Sequence, residues 1–209
     1  MSSRCKHAKI ATKKNQAIEC TILEPTPHRS VSPVEEVIAL PASYRHSPSR
    51  SPRLPFRVRP MTEEDGAHIC SWTYEPPYQL YGFLPWEQMK ALEVEFGDAR
   101  IRSEQYVSVT DAEGELFGFA QFFPLLGVTR LGLGMRPDRL GQGYGVSFVQ
   151  AIVEEARQRH PVDMIDLEVL TWNERAIRTY RRAGFRITDT YTRQTPTGPG
   201  EFHCMVYHP

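Results

Sequence analysis

The chain has 209 residues, of which 40% are hydrophobic, and its 25 basic side chains balance 25 acidic ones to a formal net charge of zero. This length allows one domain with a substantial core plus a tail, and no apolar run is long enough to cross a bilayer. Four scattered cysteines without a Cys-x-x-Cys pair argue against a zinc site, a redox dithiol or a disulfide scaffold, and favour a reducing, cytoplasmic setting.

Basic and acidic side chains are distributed unevenly along the chain. Residues 1–55 carry nine Lys or Arg against four Glu and are rich in Ser, Pro and His, whereas the remainder carries 16 basic against 21 acidic residues. This composition predicts a disordered tail over residues 1–54 and one domain over residues 55–209, with a transit peptide as the alternative for the tail. The dispersed basic charges lack interleaved aromatic residues, so nucleic-acid binding is the less favoured interpretation.

The first half of the domain is predicted from local patterns. Residues 56–60 alternate apolar and charged side chains, which predicts a strand, and Thr62 with the acidic residues after it predicts the start of a helix. A segment rich in aromatic residues and prolines follows over 72–86, and then a helical stretch over 85–96. Three strands of an antiparallel meander are predicted next, over 106–110, 116–123 and 128–135.

The second half changes to helical periodicity after Met135. Apolar side chains recur at positions 146, 149, 152, 153 and 156, which predicts a helix that ends at Pro161. A strand over 164–170, a helix over 173–183 and a hairpin of two strands over 185–194 and 202–208 are predicted to follow. The pattern predicts an α/β (α+β) fold, in which about four helices flank a mixed, mainly antiparallel sheet of about seven strands.

A glycine-rich turn, Gly141-Gln142-Gly143-Tyr144-Gly145, precedes the helix that ends at Pro161. Backbone amides at a helix start have no helical partners and bind anions, and glycines let a ligand approach the backbone closely. A bound ligand would also explain three glycines that each cost about 0.5–1 kcal/mol relative to alanine. A flexible turn is the alternative. The spacing does not fit a dinucleotide-binding GxGxxG, and no Gly-Lys-Ser/Thr marks a P-loop.

Two motifs in this order resemble the signatures of the GNAT superfamily of acetyl-CoA-dependent N-acetyltransferases. The first is Leu133-Gly-Met-Arg-Pro-Asp-Arg-Leu-Gly-Gln-Gly-Tyr-Gly145, and the second is Asn173-x-x-Ala-x-x-x-Tyr180-x-x-x-Gly184-Phe185. The resemblance covers about residues 56–207. It implies the GNAT fold, acetyl-CoA as co-substrate without a metal, and acetyl transfer to a primary amine by direct attack in a ternary complex.

The same resemblance implies which residues hold acetyl-CoA. Backbone atoms of Leu133, Gly134 and Met135 would bind the pantetheine and the acetyl carbonyl, and Asn173, also a good helix N-cap, would bind further along the cofactor. The pyrophosphate would bind the amides of Gly141, Gln142, Gly143, Tyr144, Gly145 and Val146. The chain departs from the superfamily at Leu140, where Gln or Arg is usual, and Arg139 lies one residue earlier.

Glu168 and Tyr180 are the candidate catalytic residues. Glu168 lies five residues before Asn173, as does the proposed general base of the ribosomal-protein alanine N-acetyltransferases, which this segment resembles. Its carboxylate could accept the ammonium proton through water. The alternative is a structural carboxylate paired with an arginine, and Asp166, on the same strand face, is the reserve candidate. Tyr180 would protonate the departing coenzyme A thiolate, or else serve as a core aromatic.

The sequence leaves the acceptor open between a small-molecule amine and a protein N-terminus. In this superfamily the aromatic segment over 72–86 would line the acceptor side of the cleft. Aromatic faces attract an ammonium by about 0.5–2 kcal/mol, whereas packing under the sheet is the alternative role of these rings. A monomer or homodimer without a membrane partner is expected. A noncatalytic acyl-CoA-binding or regulatory domain is the alternative function.

Overall fold

A computed structural model describes residues 56–195 and 198–209, so the predicted tail over residues 1–54 lies outside the described residues. The sheet contains seven strands: β1 (Arg57–Pro60), β2 (Tyr106–Thr110), β3 (Leu116–Leu125), β4 (Val128–Met135), β5 (Met164–Leu170), β6 (Phe185–Thr195) and β7 (Gly198–Tyr207). The α-helices are α1 (Glu63–Cys70), α2 (Trp86–Leu92), α3 (Ala99–Gln105), α4 (Gly145–Arg159) and α5 (Glu174–Ala183). Short 3-10 helices lie at Tyr78–Tyr81, Glu95–Gly97 and Pro137–Arg139.

The strands form one sheet in the order β1-β2-β3-β4-β5-β7-β6. All neighbours are antiparallel except β4 and β5, which are parallel and are connected through α4. A parallel pair needs such a crossover connection, because the chain must return to the same end of the sheet at which the first strand began. The predicted mixed, mainly antiparallel sheet of seven strands is therefore confirmed.

The helical stretch predicted over residues 85–96 is shorter in the structure, and the described residues contain five α-helices rather than four. α2 ends at Leu92 because Glu93 has a left-handed backbone conformation, with φ of 50°. The additional helix is α3, whose N-cap is Asp98. The Asp98 carboxylate accepts hydrogen bonds from the amides of Arg100 and Ile101, at 2.7 and 2.9 Å. Aspartate at this position stabilises a helix start.

Two hydrophobic clusters lie around the sheet. The larger one includes the buried side chains of α4, and four of the five apolar positions predicted for this helix are buried, at 149, 152, 153 and 156. The second cluster contains Ile69 of α1, Met89 of α2 and Phe96, together with several side chains of the aromatic segment over 72–86. The sheet and these two clusters together position the ends of β4 and β5.

Helix α5 begins and ends at the predicted residues. Asn173 is its N-cap, and the Asn173 side-chain oxygen accepts a hydrogen bond from the amide of Ala176 at 3.2 Å. Gly184 follows the last turn with φ of 110°, a left-handed conformation that glycine adopts without a steric penalty. The second sequence motif therefore corresponds to one complete helix with both of its ends.

Candidate active site

The two parallel strands in the middle of the sheet diverge at their carboxyl ends. The pairing between β4 and β5 ends at Leu131 and Leu167, although β4 continues to Met135 and β5 to Leu170. Each strand keeps its outer neighbour along this stretch, β3 for β4 and β7 for β5. A cavity of about 450 Å³ lies at this opening and is lined by residues 131–135 and 168–170. Strand backbone that has lost a neighbour can bind a ligand.

The glycine-rich turn lies on the same cavity, through Gly141, Gly143, Tyr144 and Gly145. Gly141 and Gly143 have φ of 76° and 89°, and a Cβ atom at either position would meet no atom within 4 Å. The turn therefore needs glycine for its backbone conformation and leaves open space beside it. Gln142 does not line the cavity, and its side-chain amide donates to the carbonyl of Asp138 at 2.6 Å.

The first turn of α4 begins at this glycine turn. Its N-cap residue, Tyr144, makes no capping hydrogen bond with its side chain. The amides of the first helical turn have no partners within the helix, and the positive end of the helix dipole favours an anion there. Gly145 and Val146 of this turn both line the cavity. The start of α4 therefore offers an anion site that opens into the space between β4 and β5.

Gly145 has a second role in the packing of the two helices. A Cβ atom at this position would lie 2.9 Å from Cγ2 of Thr179 on α5, closer than side chains pack. The absence of a side chain lets α4 approach α5 closely. The third glycine of the motif is thus explained by helix packing, whereas the other two are explained by backbone conformation.

Arg139 places a positive charge beside the turn. Its side chain lines the cavity, its guanidinium lies 5.8 Å from the ring centroid of Phe117, and its buried Nε has no hydrogen-bond partner among the described residues. Leu140, which replaces the polar residue usual in the superfamily, packs instead against the second hydrophobic cluster. The positively charged side chain therefore lies at position 139, one residue before the superfamily's usual position, and still lines the cavity.

Asn173 and Tyr180 of the second motif also line the cavity. The Asn173 side-chain amide donates to the hydroxyl of Tyr81 at 3.0 Å, in addition to capping α5. Burial raises the pKa of the Tyr180 hydroxyl above its ordinary value, and the nearby Tyr81 raises it further. The Tyr180 hydroxyl is consequently protonated at neutral pH, as a proton donor must be.

Glu168 lines the cavity and is held by three side chains. Arg130 and the hydroxyl of Tyr191 both donate to Oε1 of Glu168, and Nη2 of Arg193 lies 3.0 Å from Oε2. The side chain of Glu168 is 9% exposed. The structure thus contains the arginine pairing of the structural interpretation, while the cavity gives the carboxylate access to a ligand. The catalytic role of Glu168 stays a prediction.

Asp166, the reserve candidate, is buried away from the cavity. Its two carboxylate oxygens accept from Nε and Nη2 of Arg130, at 2.9 and 2.6 Å. Such a two-point contact between a guanidinium and a carboxylate is geometrically specific. Asp166 therefore fixes Arg130, which in turn contacts Glu168.

The aromatic segment over 72–86 divides into two groups. Trp72, Phe83 and Trp86 pack in or against the second hydrophobic cluster, so the prediction of packing under the sheet is confirmed for them. The cavity wall contains three tyrosines, Tyr74, Tyr78 and Tyr81, of which Tyr74 is also a member of the second cluster and Tyr78 packs against it. The face of Tyr78 is already occupied by a cation of the protein, because the guanidinium of Arg175 lies 4.0 Å from its ring centroid.

Comparison with known proteins identifies the fold and the family. The sequence model of the Acetyltransferase (GNAT) family matches residues 60–185, which include both motifs and the strands that diverge. The chain belongs to the GNAT acetyltransferase family. A curated relative, an L-methionine sulfoximine/L-methionine sulfone acetyltransferase from Pseudomonas paraeruginosa, is 33% identical over 98 residues, which are 44% of this chain and 56% of the relative. The chain thus spans about half the length of that relative.

Solved structures with the same fold are more distant in sequence. A spermidine N-acetyltransferase chimera from Vibrio cholerae and hSSAT has a TM-score of 0.59 at 14% identity, over 73% of this chain and 95% of that chain. An acetyltransferase of the GNAT family from Bacillus anthracis has a TM-score of 0.60 at 14% identity, over 73% and 93%. The sheet of this GNAT chain and its flanking helices are therefore shared with these structures.

Sequence reasoning missed three arginines of this GNAT site: Arg130 and Arg193, which hold Glu168, and Arg175, which covers Tyr78. Arg130 lies 38 residues before Glu168 in the chain, and no local pattern connects the two. Only the pairing of β4 with β5, which sets Arg130 opposite Asp166, brings them together. The missing signal is a contact between distant parts of the sequence.

Residues 56–195 and 198–209 contain no group of three or more His, Cys, Asp or Glu that could hold a metal ion. Over the same residues, no helix is both long and apolar enough to span a bilayer.

Proposed function

We propose that this chain is an N-acetyltransferase that transfers an acetyl group from acetyl-CoA to a primary amine by direct attack in a ternary complex. The observation that carries the proposal is one cavity that joins the opening between β4 and β5 to the start of α4. The first feature offers strand backbone to an extended chain such as pantetheine, and the second offers amides to a pyrophosphate. Bound acetyl-CoA would supply an activated acetyl thioester.

The residues at the cavity fit acetyl-CoA. The backbone of Leu133, Gly134 and Met135 would hold the pantetheine and the acetyl carbonyl, and the amides from Gly141 to Val146 would hold the pyrophosphate. Open space beside Gly141 and Gly143 leaves room for phosphate oxygens. The Nε of Arg139 lies 3.9 Å from a carboxylate oxygen of Asp138 but makes no hydrogen bond among the described residues, which supports a phosphate contact because a buried donor is rarely left without one. Asn173 would keep Tyr81 in place with one of its side-chain N–H groups and donate the other to the cofactor.

The chemistry of transfer requires several proton movements. The ammonium first loses a proton to give the free amine; as the amine nitrogen bonds to the acetyl carbon, the carbon–sulfur bond breaks, the nitrogen loses a second proton and the thiolate gains one. We assign the proton acceptor to Glu168, through a water molecule, and the donor to Tyr180. Both side chains line the same cavity.

One observation favours a second candidate function. The carboxylate of Glu168 already has two arginines and Tyr191 as partners, and such a carboxylate could serve structure alone. A noncatalytic acyl-CoA-binding or regulatory domain would need the cavity but not a base. The two candidates make opposite predictions for turnover, because only an enzyme releases free thiol when an amine is added.

Named relatives support a small-molecule amine as the acceptor. The curated relative is named for L-methionine sulfoximine and L-methionine sulfone, and one solved neighbour with the same fold is described with CoA and spermine. We propose a small-molecule amine first and a protein N-terminus second. A cytoplasmic location and a monomer or homodimer remain part of the same proposal.

The proposed reaction is tested by adding amines to the purified chain with acetyl-CoA and measuring free thiol. We expect at least one amine to raise thiol release about 10²-fold or more above the rate without an amine, since positioning and proton transfer each contribute at least this much. Calorimetry with acetyl-CoA alone measures cofactor binding separately. Tight binding without thiol release from any amine would favour the noncatalytic domain.

The role of Glu168 is tested by Glu168→Gln. We expect acetyl transfer to slow by about 10²-fold near pH 6 and by less near pH 9, because at low pH most of the amine is protonated and a base contributes most. The matched control is Asp166→Asn, which alters the same Arg130 network away from the cavity. A loss of equal size at every pH, shared by the control, would indicate a structural role.

A further inference from the structure

Arg193 on β6 is a charged residue of the cavity whose hydrogen bonds are incomplete. Its Nη2 lies 3.0 Å from Oε2 of Glu168, and its guanidinium lies 4.1 Å from the ring centroid of Phe202. Its Nε and Nη1 are buried and have no hydrogen-bond partner among the described residues. A guanidinium carries five N–H donors, and leaving them buried and unpaired is costly. The Nε and Nη1 donors of Arg193 therefore lack the oxyanion partner that its Nη2 has in Glu168.

The charges around the cavity point to the same kind of partner. The charged residues that line it are one glutamate and four arginines: Glu168, Arg139, Arg175, Arg182 and Arg193. Arg139 lies beside the glycine turn, where the phosphates of acetyl-CoA are proposed to bind. Arg175 lies against Tyr78, on the tyrosine side of the cavity. An acceptor with several positive charges would meet more arginines than carboxylates in this cavity. An acceptor with its own carboxylate would instead partly neutralise the arginines.

The pair formed by Arg193 and Glu168 matches a group that carries both charges. In an α-amino acid, the amino nitrogen and the carboxylate are attached to the same carbon atom. A cation and an anion that lie 3.0 Å apart on the cavity wall can face such a group with the charges reversed. The ammonium then lies by Glu168, the proposed proton acceptor, and the carboxylate lies by the unpartnered nitrogens of Arg193.

We infer that the acceptor is an amine with a carboxylate on the adjacent carbon, an α-amino acid or a close analogue, and that Arg193 binds this carboxylate. The inference rests on the proposed acetyl transfer and names its substrate class. Charge-assisted hydrogen bonds from a guanidinium to a carboxylate are among the strongest in proteins. Arg193 is therefore a specificity-determining residue, and an amine that lacks the carboxylate leaves its donors unpaired.

The inference is tested first on the unaltered protein. The proteinogenic amino acids, their carboxamides and the corresponding decarboxylated amines are compared by thiol release with acetyl-CoA. We expect kcat/KM of the best amino acid to exceed that of its own amide by about 10²-fold or more, because a site with buried donors discriminates strongly against a ligand that leaves them unpaired. Equal rates for the amino acid and its amide would overturn the inference while leaving acetyl transfer intact.

Arg193→Gln then tests the residue. We expect this variant to lower kcat/KM for the amino acid by about 10²-fold more than it lowers kcat/KM for the amide, mainly through KM, because both substrates lose the contact between Arg193 and Glu168 but only the amino acid loses a partner for its carboxylate. Arg193→Lys should restore part of the loss. Arg186→Gln, an exposed arginine on the same strand, is the matched control. The melting temperature and the Kd for acetyl-CoA show whether each variant is folded.

Three further outcomes have distinct meanings. If Arg193→Gln lowers kcat/KM equally for the amino acid and the amide, Arg193 acts only by positioning Glu168, and the inference is wrong. If neither compound nor any decarboxylated amine is acetylated although acetyl-CoA binds, the proposed function fails and the inference falls with it. If polyamines are the best acceptors, transfer is established and the inferred substrate class is overturned.

Discussion

Replacement of Tyr180 by phenylalanine is expected to lower kcat for acetyl transfer by about 10²- to 10⁴-fold and to leave the Kd for acetyl-CoA unchanged. The phenyl ring keeps the contact with Phe185, whose centroid lies 6.1 Å from that of Tyr180. Only the hydroxyl is lost, and with it the proton for the departing thiolate. Burial and the nearby Tyr81 raise the pKa of this hydroxyl, so the proton is present throughout the neutral range.

Rapid-mixing measurement of thiol release, beside calorimetric titration with acetyl-CoA, separates the two effects of this substitution. Tyr207→Phe is the matched control, because Tyr207 also packs against Phe185, at 5.3 Å, but does not line the cavity. The control should keep kcat. If Tyr180→Phe is folded and equally fast, the hydroxyl is not the donor and water protonates the thiolate.

The second large effect is expected at the glycine turn, where Gly143→Glu should weaken acetyl-CoA binding by about 10²-fold or more. The φ of 89° at Gly143 strains any residue with a side chain. The open space beside Gly143 lets the new carboxylate occupy the position proposed for the pyrophosphate, where it repels the phosphates and competes for the amides of α4. A Cβ atom at Gly143 would meet no atom within 4 Å, so the fold should survive.

Calorimetry with acetyl-CoA measures the change. Gly127→Glu is a suitable control, because Gly127 lies in the turn between β3 and β4, has φ of 70°, and a Cβ atom there would likewise meet no atom within 4 Å. It carries a similar backbone strain and the same added charge away from the cavity. Undiminished binding by Gly143→Glu would remove the glycine turn from the cofactor site.

Several elements with local signals were predicted correctly from the sequence. The start and end of α5 follow from Asn173 and Gly184, each of which acts on the backbone within a few residues of its own position. The first two strands of the meander were predicted as strand-forming segments separated by the turn residues over 111–114. The glycine turn followed from its spacing, and the residues predicted around it line one cavity, apart from Gln142.

Features that depend on distant contacts were not predictable in this way. The arginines around Glu168 come from β4 and β6, and only the strand order of the finished sheet brings them to β5. The sequence could not show for the same reason that a cation of the protein already covers Tyr78 in the aromatic segment, because Arg175 reaches this ring from α5. α3 was missed although Asp98 gives it a local start signal, since the predicted helix over 85–96 ended just before it.

The missing side chain at Gly145 couples two positions that lie 34 residues apart in the chain. At the observed helix spacing, the space between α4 and α5 is filled by Thr179, whose Cγ2 would be 2.9 Å from a Cβ atom at position 145. A larger residue at 145 is compatible with this spacing only if the Thr179 side chain moves or is replaced by a smaller one. Without that compensation α5 must shift, and Asn173 and Tyr180 shift with it. The alignment of the glycine turn with Asn173 and Tyr180 therefore depends on a single methyl group at the contact between α4 and α5.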